Sequence, residues 1–316
     1  MPRKVLVTGA SGFVGAHLLR LLDAEPGVEL HAWTRDVVPE GTRARWVVLE
    51  VADRQVVHDA IAETRPDLVF HLAGAAHVGQ SFGSVTETLA TNVMGTAHLL
   101  DALRDHHVAA RTLVVGSSTV YRPSEEALTE ESPIGPTSPY GLSKLAQERL
   151  AVRASHEDGL DVLVVRSFNH FGPGQAPSFF APAFARQIAE IEAGLRPPVI
   201  RVGNLDARRD LTDVRDTVRA YRALMERGAR GAVYNMCTGR AHAVGDILAA
   251  MARRARVAVK VEEDPALLRP NDNPVVLGSY ARLERATGWT PEIPLERTIE
   301  DLLNDWRERV RRSTPS

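Results

Sequence analysis

One cysteine, Cys237, stands in 316 residues, so no intrachain disulfide forms and no cysteine-based zinc site can be assembled. A reducing, cytoplasmic setting fits that count. No apolar run approaches the roughly 18 residues needed to span a bilayer. The basic start, Met1-Pro-Arg-Lys4, gives way to glycine after a few apolar residues, which argues against a secretory leader. Excess charge is missing too: 38 Lys plus Arg against 40 Asp plus Glu leaves −2, so no bulk attraction to nucleic acid or to an anionic membrane is expected. Repeats and low-complexity tracts are absent as well. What remains, 44% hydrophobic and 25% charged, is an ordinary globular composition, long enough for a large domain with a second lobe.

The chain opens as strand, glycine turn and helix: Lys4 to Thr8, then Gly9-Ala-Ser-Gly-Phe-Val-Gly15, then apolar residues at helical spacing to Leu22. Strands are expected over 29–34, 45–49, 68–71, 112–116 and 161–166, with helices over 54–63, 85–106 and 140–156 between them. This rhythm predicts an α/β fold with a doubly wound, Rossmann-type parallel sheet. After Phe168, prolines and glycines interrupt the pattern and predict a smaller mixed α/β lobe of loops and short helices. A helix over 214–227 and a strand over 232–236 are expected to return to the main sheet. The expected division is therefore 1–172 with 204–236 for the dinucleotide, and 173–203 with 237–316 for the substrate.

Two patterns carry chemistry. Gly9, Gly12 and Gly15, between a strand and a helix, let a pyrophosphate approach the helix N-terminus, where free N–H groups favour an anion. At the end of the second strand Arg35 precedes Asp36; the arginine suits a 2′-phosphate and favours NADPH, while the acid leaves NAD possible. Tyr140 and Lys144, four residues apart, share one helix face. A cation within about 4 to 6 Å of a phenol lowers its pKa from about 10, so Tyr140 is expected to exchange a proton with a substrate oxygen. His106-His107 closes a predicted helix, where imidazolium meets the dipole, and no metal is expected there.

Six segments in register, Thr8-Gly-Ala-Ser-Gly-Phe-Val-Gly15, His71-Leu-Ala-Gly74, Thr91-Asn-Val-Met-Gly-Thr96, Gly116-Ser-Ser-Thr-Val-Tyr121, Tyr140-Gly-Leu-Ser-Lys144 and Arg166-Ser-Phe-Asn-His-Phe-Gly-Pro-Gly174, carry a resemblance. Along nearly its whole length the chain resembles the extended short-chain dehydrogenase/reductase family of nucleotide-sugar enzymes. The resemblance implies that the glycine turn, with Ser11 and Phe13, takes the dinucleotide. It places Glu50, Val51, Leu72, Ala73, Gly74 and Asn92 along the cofactor or behind the active site. Ser117 would help Tyr140 hold the reacting oxygen, and Lys144 would hold the nicotinamide ribose. Sugar dehydratases of this family carry an acidic residue just after that serine. Here Ser118 and Thr119 stand there, so dehydration is disfavoured, leaving reduction of a ketosugar with NADPH, or epimerisation with retained NAD.

The segments Val202 to Asp213, Leu268 to Asp272 and Gly278 to Leu283 resemble the branch acting on GDP-linked 6-deoxyhexoses, with UDP or dTDP left open. By that resemblance Arg209 and Arg269 grip the diphosphate or ribose, Asp272 accepts from the nucleotide, and Ser118 and Asn169 lie near the sugar. The family usually has glutamate at the position of Asp272, which shortens the reach here. Apolar faces on 85–106 and 140–156 either pack within the chain or meet a second subunit, as in family homodimers.

Overall fold

The computed structural model describes residues 2–36, 38–39, 41–268 and 273–313. Seven parallel strands form the main sheet: β1 (Arg3–Thr8), β2 (Val28–Thr34), β3 (Arg45–Val48), β4 (Leu68–His71), β5 (Arg111–Ser117), β6 (Val162–Ser167) and, far along the chain, β10 (Val233–Met236). Their order is β10-β6-β5-β4-β1-β2-β3. The chain winds outward from β1 through β2 to β3, then crosses back to β4 on the other side of β1. The crevice outside the C-terminal ends of β1 and β4 is therefore the switch point at which doubly wound sheets bind ligands.

Both faces of this sheet are covered, which explains its nearly uninterrupted apolar strands. Val5 and Val7 of β1 face one way, with Leu18 and Leu22 of helix α1 (Phe13–Asp23) and Tyr221 and Leu224 of α8 (Val214–Arg227). Leu6 faces the other, with Ile61 of α2 (Arg54–Thr64) and Leu99 and Leu103 of α5 (Gly95–Asp105). α6 (Pro139–His156) covers the neighbouring strands β5 and β6. The 85–106 stretch, expected as one α-helix, has three parts. After the short α3 (Val78–Ser81) come α4 (Val85–Leu89), a π-helical turn over Ala90–Met94, and α5. Such π turns insert one residue and tend to mark functional sites; here the inserted turn carries buried Asn92.

The second core lies among α7 (Phe180–Glu192), α9 (Val244–Ala252) and α11 (Leu295–Ser313), where Phe184, Ile188, Ile247, Met251, Ile299 and Leu303 meet. At 13 residues α7 exceeds the short helices expected, while α9, the short α10 (Ala281–Thr287) and α11 fall where helical spacing over 243–252, 280–288 and 295–311 predicts them. Around them β7 (Asn169–Phe171), β11 (Ala241–Ala243) and β13 (Val275–Val276) all pair with β9 (Arg208–Asp213), and β12 (Lys260–Glu263) pairs with β8 (Val199–Val202). The last short helix, α10 (Ala281–Thr287), packs near α8 and β10.

Buried polar groups brace each part from within. Arg166 on β6 forks onto Glu148 of α6 through two 2.7 Å hydrogen bonds, and its Nη1 donates to Tyr121 Oη at 2.7 Å. Tyr121 in turn donates to Asn235 of β10 at 2.6 Å. Across the second part, the buried Asp210 carboxylate accepts from the Thr238 and Gly239 amides and the Thr238 hydroxyl, and from the Gly278 amide at 3.3 Å.

Candidate active site

At the end of β1, Gly9 has φ +65, a left-handed conformation that favours glycine. A side chain there would also meet the Ala73 nitrogen at 2.8 Å, and one on Gly15 would meet the Gly9 oxygen at 2.5 Å. The turn thus packs on itself and on the segment after β4, bringing Leu72, Ala73 and Gly74 beside the glycines. α1 starts at Gly12 with no side chain capping its first turn and no acid within it, so its N–H groups remain available to an anion. That donor set fits a dinucleotide pyrophosphate.

Ser11 and Thr34 share a 2.7 Å hydrogen bond beside the turn, which ties the glycine loop to the end of β2. Arg35 follows, its side chain exposed and 3.6 Å from Asp36. Glu50 turns back on its own loop to accept from the Ala52 amide at 3.2 Å, and buried Val51 packs against Gly95. Phe13 stacks on His170, with ring centroids 6.1 Å apart. Asn92 reaches both sides of the crevice: its Oδ1 accepts from the Ala75 amide and its Nδ2 donates to Ser143 Oγ, each at 2.8 Å.

Tyr140 and Lys144 lie in the first turns of α6, where Ser138 caps the helix by accepting from the Gly141 amide and Pro139 sets its entry. Nζ lies 6.0 Å from the tyrosine ring centroid. The Ser117 hydroxyl, at the end of β5, accepts from the Thr119 amide at 3.2 Å and the Thr119 hydroxyl at 2.9 Å. Its own proton is left to donate, and it hydrogen-bonds the Tyr140 phenol. The expected lowering of the Tyr140 pKa is not found: burial raises it above 10.0, against a smaller opposing contribution from Ser117. The reason lies at Lys144. Its ammonium is turned to the Val115 carbonyl at 2.9 Å and to Gln147 Oε1 at 2.8 Å, and burial lowers its pKa to about 8.

Ser118 is buried beside Ser117, and Asn169 is exposed at the start of β7. Arg209 lies apart from these on β9, donating to the Asn273 carbonyl at 2.8 Å. Arg269 and Asp272 lie outside the described residues. Spacing did not single out His71, although it sits beneath the crevice in a motif quoted for the resemblance. Its Nδ1 is 2.8 Å from Thr8 Oγ1 and its Nε2 is 2.9 Å from Thr96 Oγ1, and its pKa falls to about 3 through burial and then the Lys144 charge.

A testable consequence follows for stability. Because the folded value lies below the ordinary 6.5, the unfolded chain alone takes up this proton as pH falls from 6.5 toward 3. The contribution of His71 to stability is complete above that window and is lost through it. The stability gap between the native chain and His71→Gln is expected to narrow by up to about 1.4 kcal/mol per pH unit, read by urea unfolding across that range. A constant gap would contradict a neutral buried His71.

The family model described as GDP-mannose 4,6 dehydratase matches residues 6–302. A GDP-6-deoxy-D-mannose reductase of Pseudomonas aeruginosa is 37% identical, over 98% of this chain and 99% of that one. A solved structure of RMD from Pseudomonas aeruginosa complexed with NADPH superposes with a TM-score of 0.85 at 36% identity, covering 97% and 99% of the two chains. MoeE5 in complex with UDP-glucuronic acid and NAD superposes with a TM-score of 0.86 at 30% identity, with the same coverage. With the glycine turn at the switch point and serine, tyrosine and lysine gathered beside it, the chain belongs to the GDP-mannose 4,6-dehydratase-like family of extended short-chain dehydrogenases/reductases.

Proposed function

We propose that this chain reduces the 4-keto group of a GDP-4-keto-6-deoxyhexose, GDP-4-keto-6-deoxy-D-mannose above all, with GDP-D-rhamnose as product. The observation that carries this reading is the pair of hydroxyls at positions 118 and 119, with Thr119 donating to Ser117. Elimination of water needs an acid and a base beside the reacting carbons, and these side chains supply neither near neutral pH. The reductase of Pseudomonas aeruginosa supports the same choice.

When bound, NADPH supplies the hydride. The Gly9–Gly15 turn and the α1 N-terminus hold its pyrophosphate, Arg35 its 2′-phosphate, and Lys144, Leu72, Ala73, Gly74 and Asn92 line its path. Ser117 donates to the ketone oxygen and orients it. Tyr140 gives that oxygen its proton, and burial keeps the phenol protonated until then. Lys144, turned to Val115 and Gln147, is the cation of the site and is assigned to the nicotinamide ribose. Arg209, Arg269 and Asp272 are assigned to the nucleotide, Ser118 and Asn169 to the sugar. The part formed by 173–203 and 237–316 is assigned to the substrate. Phe82, Val85, Leu89, Met94 and Leu142, all exposed around α4 and α6, support a homodimer through these helices.

Incubation with GDP-4-keto-6-deoxy-D-mannose and NADPH is expected to consume both, with product configuration read by NMR. GDP-6-deoxy-D-talose as product would reverse the face of hydride delivery. Consumption of neither would remove the reading, and protein purified with tightly held NAD but inert toward NADPH would favour a 4-epimerase.

A further inference from the structure

Gln147 lies one turn beyond Lys144 on α6 and is fully buried. Its Oε1 accepts from Lys144 Nζ at 2.8 Å, and its Nε2 donates to Thr96 Oγ1 at 2.8 Å. The amide has only one way to face. Thr96 spends its single hydroxyl proton on the Asn92 carbonyl at 2.8 Å, so toward Gln147 and His71 it offers lone pairs alone. Both neighbours must then donate. His71 accordingly carries its proton on Nε2, its Nδ1 accepts from Thr8 Oγ1, and Thr8 Oγ1 accepts from the Ala73 amide at 3.1 Å. Each hydrogen from Ala73 to Lys144 has one assignment, and together they turn the Gln147 oxygen onto the ammonium.

We propose that Gln147 is a positioning residue, its amide pinned by Thr96 and His71 so that Oε1 holds the Lys144 ammonium in place and sets how firmly Lys144 keeps its proton. The proposal rests on Lys144 being the cation of the site, as read above. The surroundings make the amide decisive. On α6, Lys144 faces Tyr140, while Glu148 is turned away into its fork with Arg166. From β4 it faces His71, held neutral. β5 contributes the Val115 carbonyl and Ser117, the π turn and α5 contribute Asn92 and Thr96, and the loop after β4 contributes the backbone of Gly74. No carboxylate balances the ammonium among these described residues, so its two acceptors, Val115 O and Gln147 Oε1, are what favour the charged form. With burial holding the midpoint at about 8, losing one acceptor moves the charge within the working pH range.

The chain has three lysines, Lys4, Lys144 and Lys260, so isotope-labelled lysine gives three side-chain signals that can be followed against pH in the full-length protein without cofactor or substrate. Lys144 is assigned by the signal missing from Lys144→Arg. Gln147→Leu is expected to lower its midpoint by about one pH unit, and Gln147→Glu to raise it by about one unit or more. The alkaline limb of the NADPH-dependent reduction is expected to move in the same directions, which mere loosening of the fold would not produce. A Lys144 midpoint unmoved in both variants overturns the proposal. If Gln147→Leu does not fold, Gln147→Met removes the oxygen at similar reach and is held to the same outcome. Midpoints that move as expected in a protein that reduces no ketosugar would overturn the reductase reading and leave this assignment standing.

Discussion

Tyr140→Phe, at a residue assigned to the cofactor as well as to the proton, is expected to lower kcat for ketosugar reduction by ~10²–10⁴-fold and to leave NADPH affinity within about twofold, because the glycine turn, Arg35 and Lys144 keep their assigned contacts. The phenol is the group whose proton the ketone oxygen receives, and Ser117 cannot replace it. The Ser117 hydroxyl stabilises the oxygen by donation, but its own deprotonation would leave an alkoxide far less stable than a phenolate. Phenylalanine keeps the ring and its packing at the start of α6, so melting temperature should change little. Steady-state kinetics together with fluorescence titration of NADPH separates the two quantities. A variant that retains full turnover would transfer the proton-donating role to another group.

Glu148→Ala is expected to cost about 3–5 kcal/mol of stability, the largest effect of any single truncation away from the reacting atoms. Arg166 and Glu148 side chains are 5% and 2% exposed, and the fork between them is bidentate. Alanine would strand a guanidinium in the interior with only the Tyr121 hydroxyl and the Glu130 carbonyl for company. Replacing both partners by apolar residues of similar volume, Arg166→Met with Glu148→Leu, should recover most of the loss, because neither charge then has to be desolvated. Urea unfolding of the single and double variants tests this; a double variant as unstable as the single one would mean that Tyr121, which passes its own proton to Asn235, needs the arginine as a donor.

The parts of this site that could be read from sequence are those in which residues close in the chain act together. The glycine turn, Tyr140 with Lys144, and the strand pattern follow from periods of two and about four residues, and these held. The return of a strand over 232–236 to the main sheet was legible, but its place beside β6 was not, because that pairing joins residues some seventy positions apart that carry no local mark. The strands around β9 are only two to six residues long and gain their form from partners distant in sequence. The proton affinity of Tyr140 departs from the expected direction for a related reason. Spacing puts a cation near the phenol, but it cannot tell that a buried carbonyl and a glutamine have already claimed that cation. Gln147 itself looks from sequence like any polar residue on a helix.

The π-helical turn over Ala90–Met94 has a consequence for how this chain can vary. The widened turn absorbs one extra residue, about 100° of α-helical rotation, so that α5 continues from α4 as an α-helix one residue shorter would. Deleting one residue from that turn would restore regular α-helical geometry with Thr96, His98, Leu99 and Leu103 still on the faces they now occupy, and would remove the wide turn that carries Asn92 to the Ala75 amide and to Ser143. Substitutions at exposed positions here, such as Met94, meet no such obstacle. The extra residue therefore serves the crevice through Asn92 rather than the packing of α5, and a chain shortened by one residue here would keep the second and lose the first.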